Sequence, residues 1–261
     1  MNSAIDIHPL NLAAAYGLLL FPLAVILWYG IRLVRPLVIS VVRMTAQLVF
    51  VGLYLQVIFD RNNPWLTLAW LMVMLIVADV SVVRGCRLRW SFLGALFTAL
   101  VAGVGLPLTI FVGAVLASPN LLEARYVIPI AGMILGNCLR ADIIGINRFY
   151  QALGREQKFY CQCLAQGATR AEALRPFMQE AFQAAMAPTV ATMSTIGLVS
   201  LPGMMTGVIL GGTDPATAIK YQIAIMLSIF SGTAVTVFLG IALTLGRSLD
   251  AYGMPRWLQG E

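Results

Sequence analysis

The chain has 261 residues, of which 60% are hydrophobic and only 11% charged, and its mean hydropathy is +0.86. Soluble domains carry about 25% charged residues, and no polar stretch here is long enough to fold as one, which excludes a soluble enzyme. The net charge of +6 comes from arginines scattered through short loops without a basic stripe, a pattern of membrane orientation and not of nucleic-acid binding.

The first apolar run, about Leu12–Ile31, follows Asp6 and His8 and precedes Arg32 and Arg35. A signal peptide carries its basic residues ahead of the apolar run, so this one reads as a permanent span with its N-terminus outside. Six further runs follow, at about Leu37–Phe59, Leu66–Val83, Phe92–Leu116, Val127–Phe149, Pro188–Leu210 and Ile219–Leu245. Each is near the ~20 residues that cross ~30 Å of hydrocarbon. The connections sort by charge. Arg32 and Arg35, then Arg84, Arg87 and Arg89, then Arg148, Arg155, Lys158, Arg170 and Arg175, then Arg247 and Arg256 share one side. The other side has only Arg61, Arg125 and Lys220. The positive-inside rule makes the arginine-rich side cytoplasmic. The expectation is an all-α polytopic membrane bundle of about seven transmembrane helices, one domain over residues 1–261, with its C-terminus in the cytoplasm. No second copy of the pattern is visible, and an odd span count without an inverted repeat weighs against a self-contained secondary transporter.

Within the spans, Arg43, Asp79, Arg140 and Asp142 fall at similar depth, roughly 8–12 Å from the cytoplasmic boundary at ~1.5 Å per residue. Two positive and two negative groups in one layer can neutralise one another, as a structural clamp or an ion-handling site, with Gln47 and Asn137 as polar companions. Gly132 and Gly136 form one GxxxG, and Gly203, Gly207 and Gly211 form two in succession. That spacing lets helices approach closely, within the subunit or between subunits. Gly103, Gly105 and Pro107 are expected to interrupt the fourth span, Pro129 lies early in the fifth, and Pro202-Gly203 breaks the sixth. Met204 and Met205 follow that break and point in different directions on a helix, so at most one faces a pathway there. The segment is a candidate gate.

The connection at about residues 150–187 is the long cytoplasmic one. Gln151–Leu164 extends the fifth span, Gly167 breaks it, and Thr169-Arg170-Ala171-Glu172 reads as a capping box that starts a short helix. Pro176 is expected to stop that helix and begin another, which runs to about Met186 with Phe177, Met178, Ala181, Phe182 and Ala185 on one face.

Hydrolytic and metal chemistry finds little purchase. His8 is the only histidine, so neither HExxH nor a Ser-His-Asp triad can be built. Lys158 and Lys220 are the only lysines and follow Gln157 and Ile219, so there is no GxxxxGK[ST] loop, and any ATP must bind another chain. Cys86, Cys138, Cys161 and Cys163 fall in spans or on the reducing side, and the side chains of Cys161 and Cys163 would diverge on a helix.

Four segments carry a resemblance: Val127–Asn137, Ile196–Gly207, Asp214–Ile223 and Arg43–Gly52 resemble the FetB family of iron-export permeases. The likeness runs from about Arg43 to the end of the last span. It implies a multi-pass subunit of the bacterial inner membrane that pairs with a separate ABC ATP-binding subunit, two copies of each. ATP and Mg would then belong to the partner, with no cofactor in this chain and lipid around it. Leu164–Leu174 likewise resembles the coupling helix of ABC permeases, which implies ATPase contacts at Gly167, Ala168, Thr169, Arg170, Ala171, Glu172 and Leu174. Cys161-Gln162-Cys163 stands where many importers have a glutamate, a departure from the importer pattern. The metal ligands stay open, because Met133, Met204 and Met205 suit softer ions than iron. The alternative class is a self-powered channel or secondary transporter.

Overall fold

A computed structural model describes residues 8–61, 63–117 and 122–248. Asp6 and Arg256, used above for orientation, lie outside these residues. The helices are α1 (Pro9–Ala15), α2 (Leu20–Trp28), α3 (Val34–Arg61), α4 (Pro64–Gly85), α5 (Leu93–Ile110), α6 (Ala124–Arg155), α7 (Gln157–Ala165), α8 (Arg170–Thr195), α9 (Gly203–Leu210) and α10 (Pro215–Ser248). A 3-10 turn joins α1 to α2, and α5 continues as a π-helix over Phe111–Val115. The all-α membrane bundle is what the hydropathy pattern predicts. Six stretches among the described residues are each long and apolar enough to cross a bilayer unbroken.

Two buried clusters show how the helices alternate. One joins the end of α4 (Val82), the start of α5 (Leu96), the end of α6 (Phe149, Leu153), Tyr160 of α7, Phe177 of α8 and the end of α10 (Val237, Ile241). The Arg247 guanidinium closes this end by donating to the Ser91 carbonyl at 2.9 Å. The arginine distribution assigns this end to the cytoplasm. The other cluster joins Leu100, Val104 and Phe111 near the end of α5, Ile130 and Ile134 early in α6, and Ile225 and Ile229 early in α10. So α8 starts at the end where α10 finishes, and α9 leads, through residues 211–214, into the opposite end. Together α8 and α9 make one further crossing, the sixth in chain order.

That crossing corrects the predicted span Pro188–Leu210. Its helix begins much earlier, at the Thr169 cap, and breaks at residues 196–202 before restarting as α9. The prediction that Pro176 stops a short helix also fails, because α8 runs through both Pro176 and Pro188. Proline deprives the carbonyl four residues earlier of its donor. For Pro176 that carbonyl belongs to Glu172, exposed in the first turn where water can satisfy it, and buried Ala173, Leu174 and Phe177 hold the helix down. Pro129 is tolerated early in α6 for the same reason, since it frees the carbonyl of exposed Arg125.

The fourth span is not interrupted at Gly103, Gly105 or Pro107. Gly103 instead lets α5 dock on α10. A Cβ on Gly232 would lie 2.6 Å from the Gly103 carbonyl oxygen and 2.9 Å from Ile134 Cγ2. Pro107 denies that same carbonyl its helical donor and leaves it to face α10. The two helices meet along small residues at four-residue spacing, Ala95, Ala99 and Gly103 on α5 and Gly232, Thr236, Gly240, Thr244 and Ser248 on α10. The hydroxyls satisfy themselves within the helix, Thr244 donating to Gly240 at 2.7 Å and Ser248 to Thr244 at 2.9 Å. α3 is attached mainly at its outer end, through Ile58 and a Tyr54–Trp70 ring contact at 4.5 Å.

Candidate functional site

The break between α8 and α9 is a compact turn. Ile196 ends α8 by donating to Thr192, Gly197 takes φ +89°, and its amide donates to Ser200 at 2.9 Å. Few residues other than glycine adopt that φ. Pro202, with no amide hydrogen, then stands as N-cap of α9. The tip is uncovered, with Leu198 93% and Val199 81% exposed.

Beside this break lies an open cavity of about 440 Å³, walled by α6, α8, α9 and the outer half of α10. Its polar wall groups are Asn137 and Arg140 from α6, Thr189 and Thr192 from α8, Ser200 from the break, and Gln222 from α10. Asn137 donates to the Met133 carbonyl at 2.8 Å, and Thr192 to that of Pro188 at 2.9 Å. Gln222 is only 8% exposed, yet its Oε1 has no hydrogen-bond partner among the described residues. Arg140 stands near the middle of the 32-residue α6, exposed, with no ion-pair partner among the described residues. An arginine at mid-span costs about 2.5–3.5 kcal/mol on insertion scales, so such groups mark water-filled paths or ligand contacts. Met204 lines the cavity and Met205 does not, while Pro202 and Gly203 sit at its rim. Towards the cytoplasm the groove between α6 and α8 continues to Arg148 and Glu180, which pair at 2.6 Å, with Arg155 3.6 Å from the same carboxylate.

The neutralising charge layer does not form. Arg43 and Gln47 are exposed on the unpacked half of α3. Arg140 and Asp142 are two residues apart, about 200° around the helix, and face opposite ways. Asp142 is 1% exposed, lies against Thr236 of α10, and keeps Oδ1 without a partner among the described residues. Asp79 is likewise buried with Oδ1 unsatisfied. Depth along the chain put these four in one layer, but only neighbouring helices decide which way each points.

The glycine motifs divide in a similar way. A Cβ on Gly132 would come within 3.3 Å of Met74 Cε, whereas Gly136, Gly203 and Gly207 face open space and Gly211 meets only its own turn. Among the described residues, Gly136 of α6 and Gly203 and Gly207 of α9 are therefore left bare. Close approaches occur instead at Gly103 and Gly232, at Gly85, where a Cβ would sit 2.7 Å from Ile143 Cδ1, and at Gly145, where it would sit 2.9 Å from Val237 and 3.2 Å from Ala185. Sequence reasoning also missed Gln222, whose signal was an amide inside an apolar run.

At the cytoplasmic end the capping box is present. Thr169 Oγ1 accepts from the Glu172 amide at 3.3 Å, and the Glu172 carboxylate accepts from the Thr169 amide at 2.8 Å and its hydroxyl at 2.7 Å. These bonds hold the Glu172 carboxyl below its usual range. Gly167 takes φ +90° in the turn before it. Thr169, Arg170, Ala171 and Glu172 are exposed and Ala168 is half-buried, but Leu174 is 9% exposed and packs in the core with Ala173. Leu174 is thus a packing residue, and the expected short coupling helix is the first turns of a 26-residue one.

These features define a multi-pass α-helical membrane protein with one discontinuous crossing beside a partly polar cavity. The chain belongs to UPF0014, an uncharacterised protein family whose model matches residues 9–248. It is 34% identical to the probable iron export permease protein FetB of Escherichia coli, over 90% of each chain. It is 33% identical to a UPF0014 membrane protein of Synechocystis, over 87% of this chain and 88% of that one. It is 34% identical to the protein ALUMINUM SENSITIVE 3 of Arabidopsis thaliana, over 81% of this chain and 77% of that one. No solved structure matches the chain significantly.

Proposed function

We propose that this chain is the permease subunit of an ATP-driven ABC exporter, with the cavity beside the α8–α9 break as its pathway. The observation that carries the reading is the break itself. Non-helical backbone at membrane depth is tolerated only where protein covers it or water reaches it, and here it edges a cavity with an unpaired arginine. Similarity to a probable iron export permease supports transport, with iron as the first substrate to test. The absence of a GxxxxGK[ST] loop supports a separate ATP-binding subunit. Its dock would be the exposed cytoplasmic turn Gly167–Glu172, whose capping box fixes the start of α8. Because α8 runs from this turn directly to the break, closure of the ATPase would be relayed along one helix.

A second copy of the chain would cover the bare face. Gly136, Gly203 and Gly207 line it with no contact among the described residues, and the exposed tip at Leu198 and Val199 needs a cover. Two copies facing there would close their cavities into one pathway in the bacterial inner membrane. Proteoliposomes containing this chain with and without an ABC ATP-binding subunit test the reading. Iron transport that requires both the subunit and ATP is expected. Equal transport by this chain alone would favour the self-powered alternative.

A further inference from the structure

The charge of the cavity wall has a consequence for the substrate. Among the described residues Arg140 is the only ionisable side chain on that wall, and no carboxylate joins it, because Asp142 turns towards α10. Among the described residues no three His, Cys, Asp or Glu side chains converge as a metal site would require. The methionines present, Met133, Met204 and Met226, are soft ligands. A bare divalent cation would meet a guanidinium with no compensating anion, and a second copy across the bare face would double that positive charge. Gln222 adds an independent requirement. Its Oε1 is buried in the wall without a partner, and an amide oxygen accepts hydrogen bonds, so a fitting ligand brings a donor. A volume of about 440 Å³ also suits a small organic molecule better than a naked ion.

We propose that the cavity takes an anionic, hydroxyl-bearing solute, its negative group on Arg140 and its hydroxyl on Gln222 Oε1. Metal would pass wrapped in such an anion and not as the free ion. The inference rests on the cavity being the pathway, but its test needs no ATPase. The purified full-length chain is titrated calorimetrically with four probes. Citrate carries three carboxylates and a hydroxyl, and is offered with and without ferric iron. Tricarballylate is the same skeleton without the hydroxyl. Glycerol 3-phosphate offers hydroxyls with a phosphate, and ferrous ion is given alone. The expected result is binding of citrate or of glycerol 3-phosphate, the stronger of the two identifying a carboxylate or a phosphate as the anion. Arg140→Gln should weaken that binding tenfold or more and Arg140→Lys should restore part of it. Both variants should elute as the wild type does, since Arg140 has no partner to lose. If citrate binds, it should bind more tightly than tricarballylate, and Gln222→Leu should erase the difference. The proposal is overturned if ferrous ion alone binds and Arg140→Gln leaves it unchanged or stronger. It is overturned too if no anion binds at millimolar concentration, or if tricarballylate matches citrate where citrate is the anion bound. None of these outcomes touches the ATP dependence on which the permease reading stands.

Discussion

Substituting Gly232 with alanine should destabilise the bundle more than any other single added methyl group on α10. The new Cβ would lie 2.6 Å from the Gly103 carbonyl oxygen and 2.9 Å from Ile134 Cγ2. Ordinary contact begins near ~3.4 Å, so α5 and α10 would have to separate by roughly 0.8 Å. Ile134 can rotate, but a backbone carbonyl cannot, and the pair is zipped along Ala95, Ala99 and Gly240 as well. Overpacking of this kind costs about 1–3 kcal/mol. The helix-propensity gain of alanine over glycine, about 1 kcal/mol, offsets only part of it. Gly136→Ala supplies the control, because that position faces open space and keeps the propensity gain without the clash. Thermal unfolding of the purified protein in detergent, followed by tryptophan fluorescence, should show Gly232→Ala melting several degrees below wild type and Gly136→Ala at or slightly above it. Equal melting temperatures would refute the close α5–α10 approach.

Because Arg43 and Asp79 face different surroundings, Arg43→Ala and Asp79→Ala should act additively on stability within about 0.5 kcal/mol, and a larger coupling in a double-mutant cycle would restore the neutralising layer. Thr169→Ala should speed amide exchange over the first turn of α8 while leaving the core protected. The Glu172 carboxyl is held below its usual range when folded, so its contribution is present at neutral pH and is lost as pH falls through that lowered value; with Thr169→Ala this acid dependence should shrink to the part that the residue-169 amide still supplies. Single cysteines at Ala168 and Thr213 should label from opposite sides of the membrane, the first from the cytoplasm, and labelling from the same side would remove the crossing made by α8 and α9.

Much of the fold was legible because hydropathy reports position along the membrane normal. That signal located the crossings and the arginine-rich side, and the Thr169–Glu172 pattern announced a cap that needs only local atoms. What hydropathy cannot report is azimuth. Arg140 and Asp142 share a depth but face a cavity and a neighbouring helix respectively, and that distinction exists only once α8 and α10 are in place. The length of α8 was hidden for a related reason, since Pro176 breaks a helix only where the carbonyl it orphans is buried. The glycine spacing was legible but its use was not: Gly203 and Gly207 look like packing glycines and meet nothing among the described residues, while Gly103 resembles a kink and carries the tightest helix contact. The run Ser228, Gly232, Thr236, Gly240, Thr244, Ser248 held the clue, at four-residue spacing, to which face of α10 is packed.

The central claim is that solute passes through the cavity beside the α8–α9 break in an ATP-driven complex. Flux in proteoliposomes holding this chain and an ABC ATP-binding subunit tests it most directly when Thr192, on the cavity wall one turn before the break, is replaced by tryptophan. Transport should fall to the level seen without ATP while both subunits still co-purify and ATP is still hydrolysed. Undiminished ATP-dependent flux through the Thr192→Trp complex would contradict the claim and place the pathway elsewhere in the bundle.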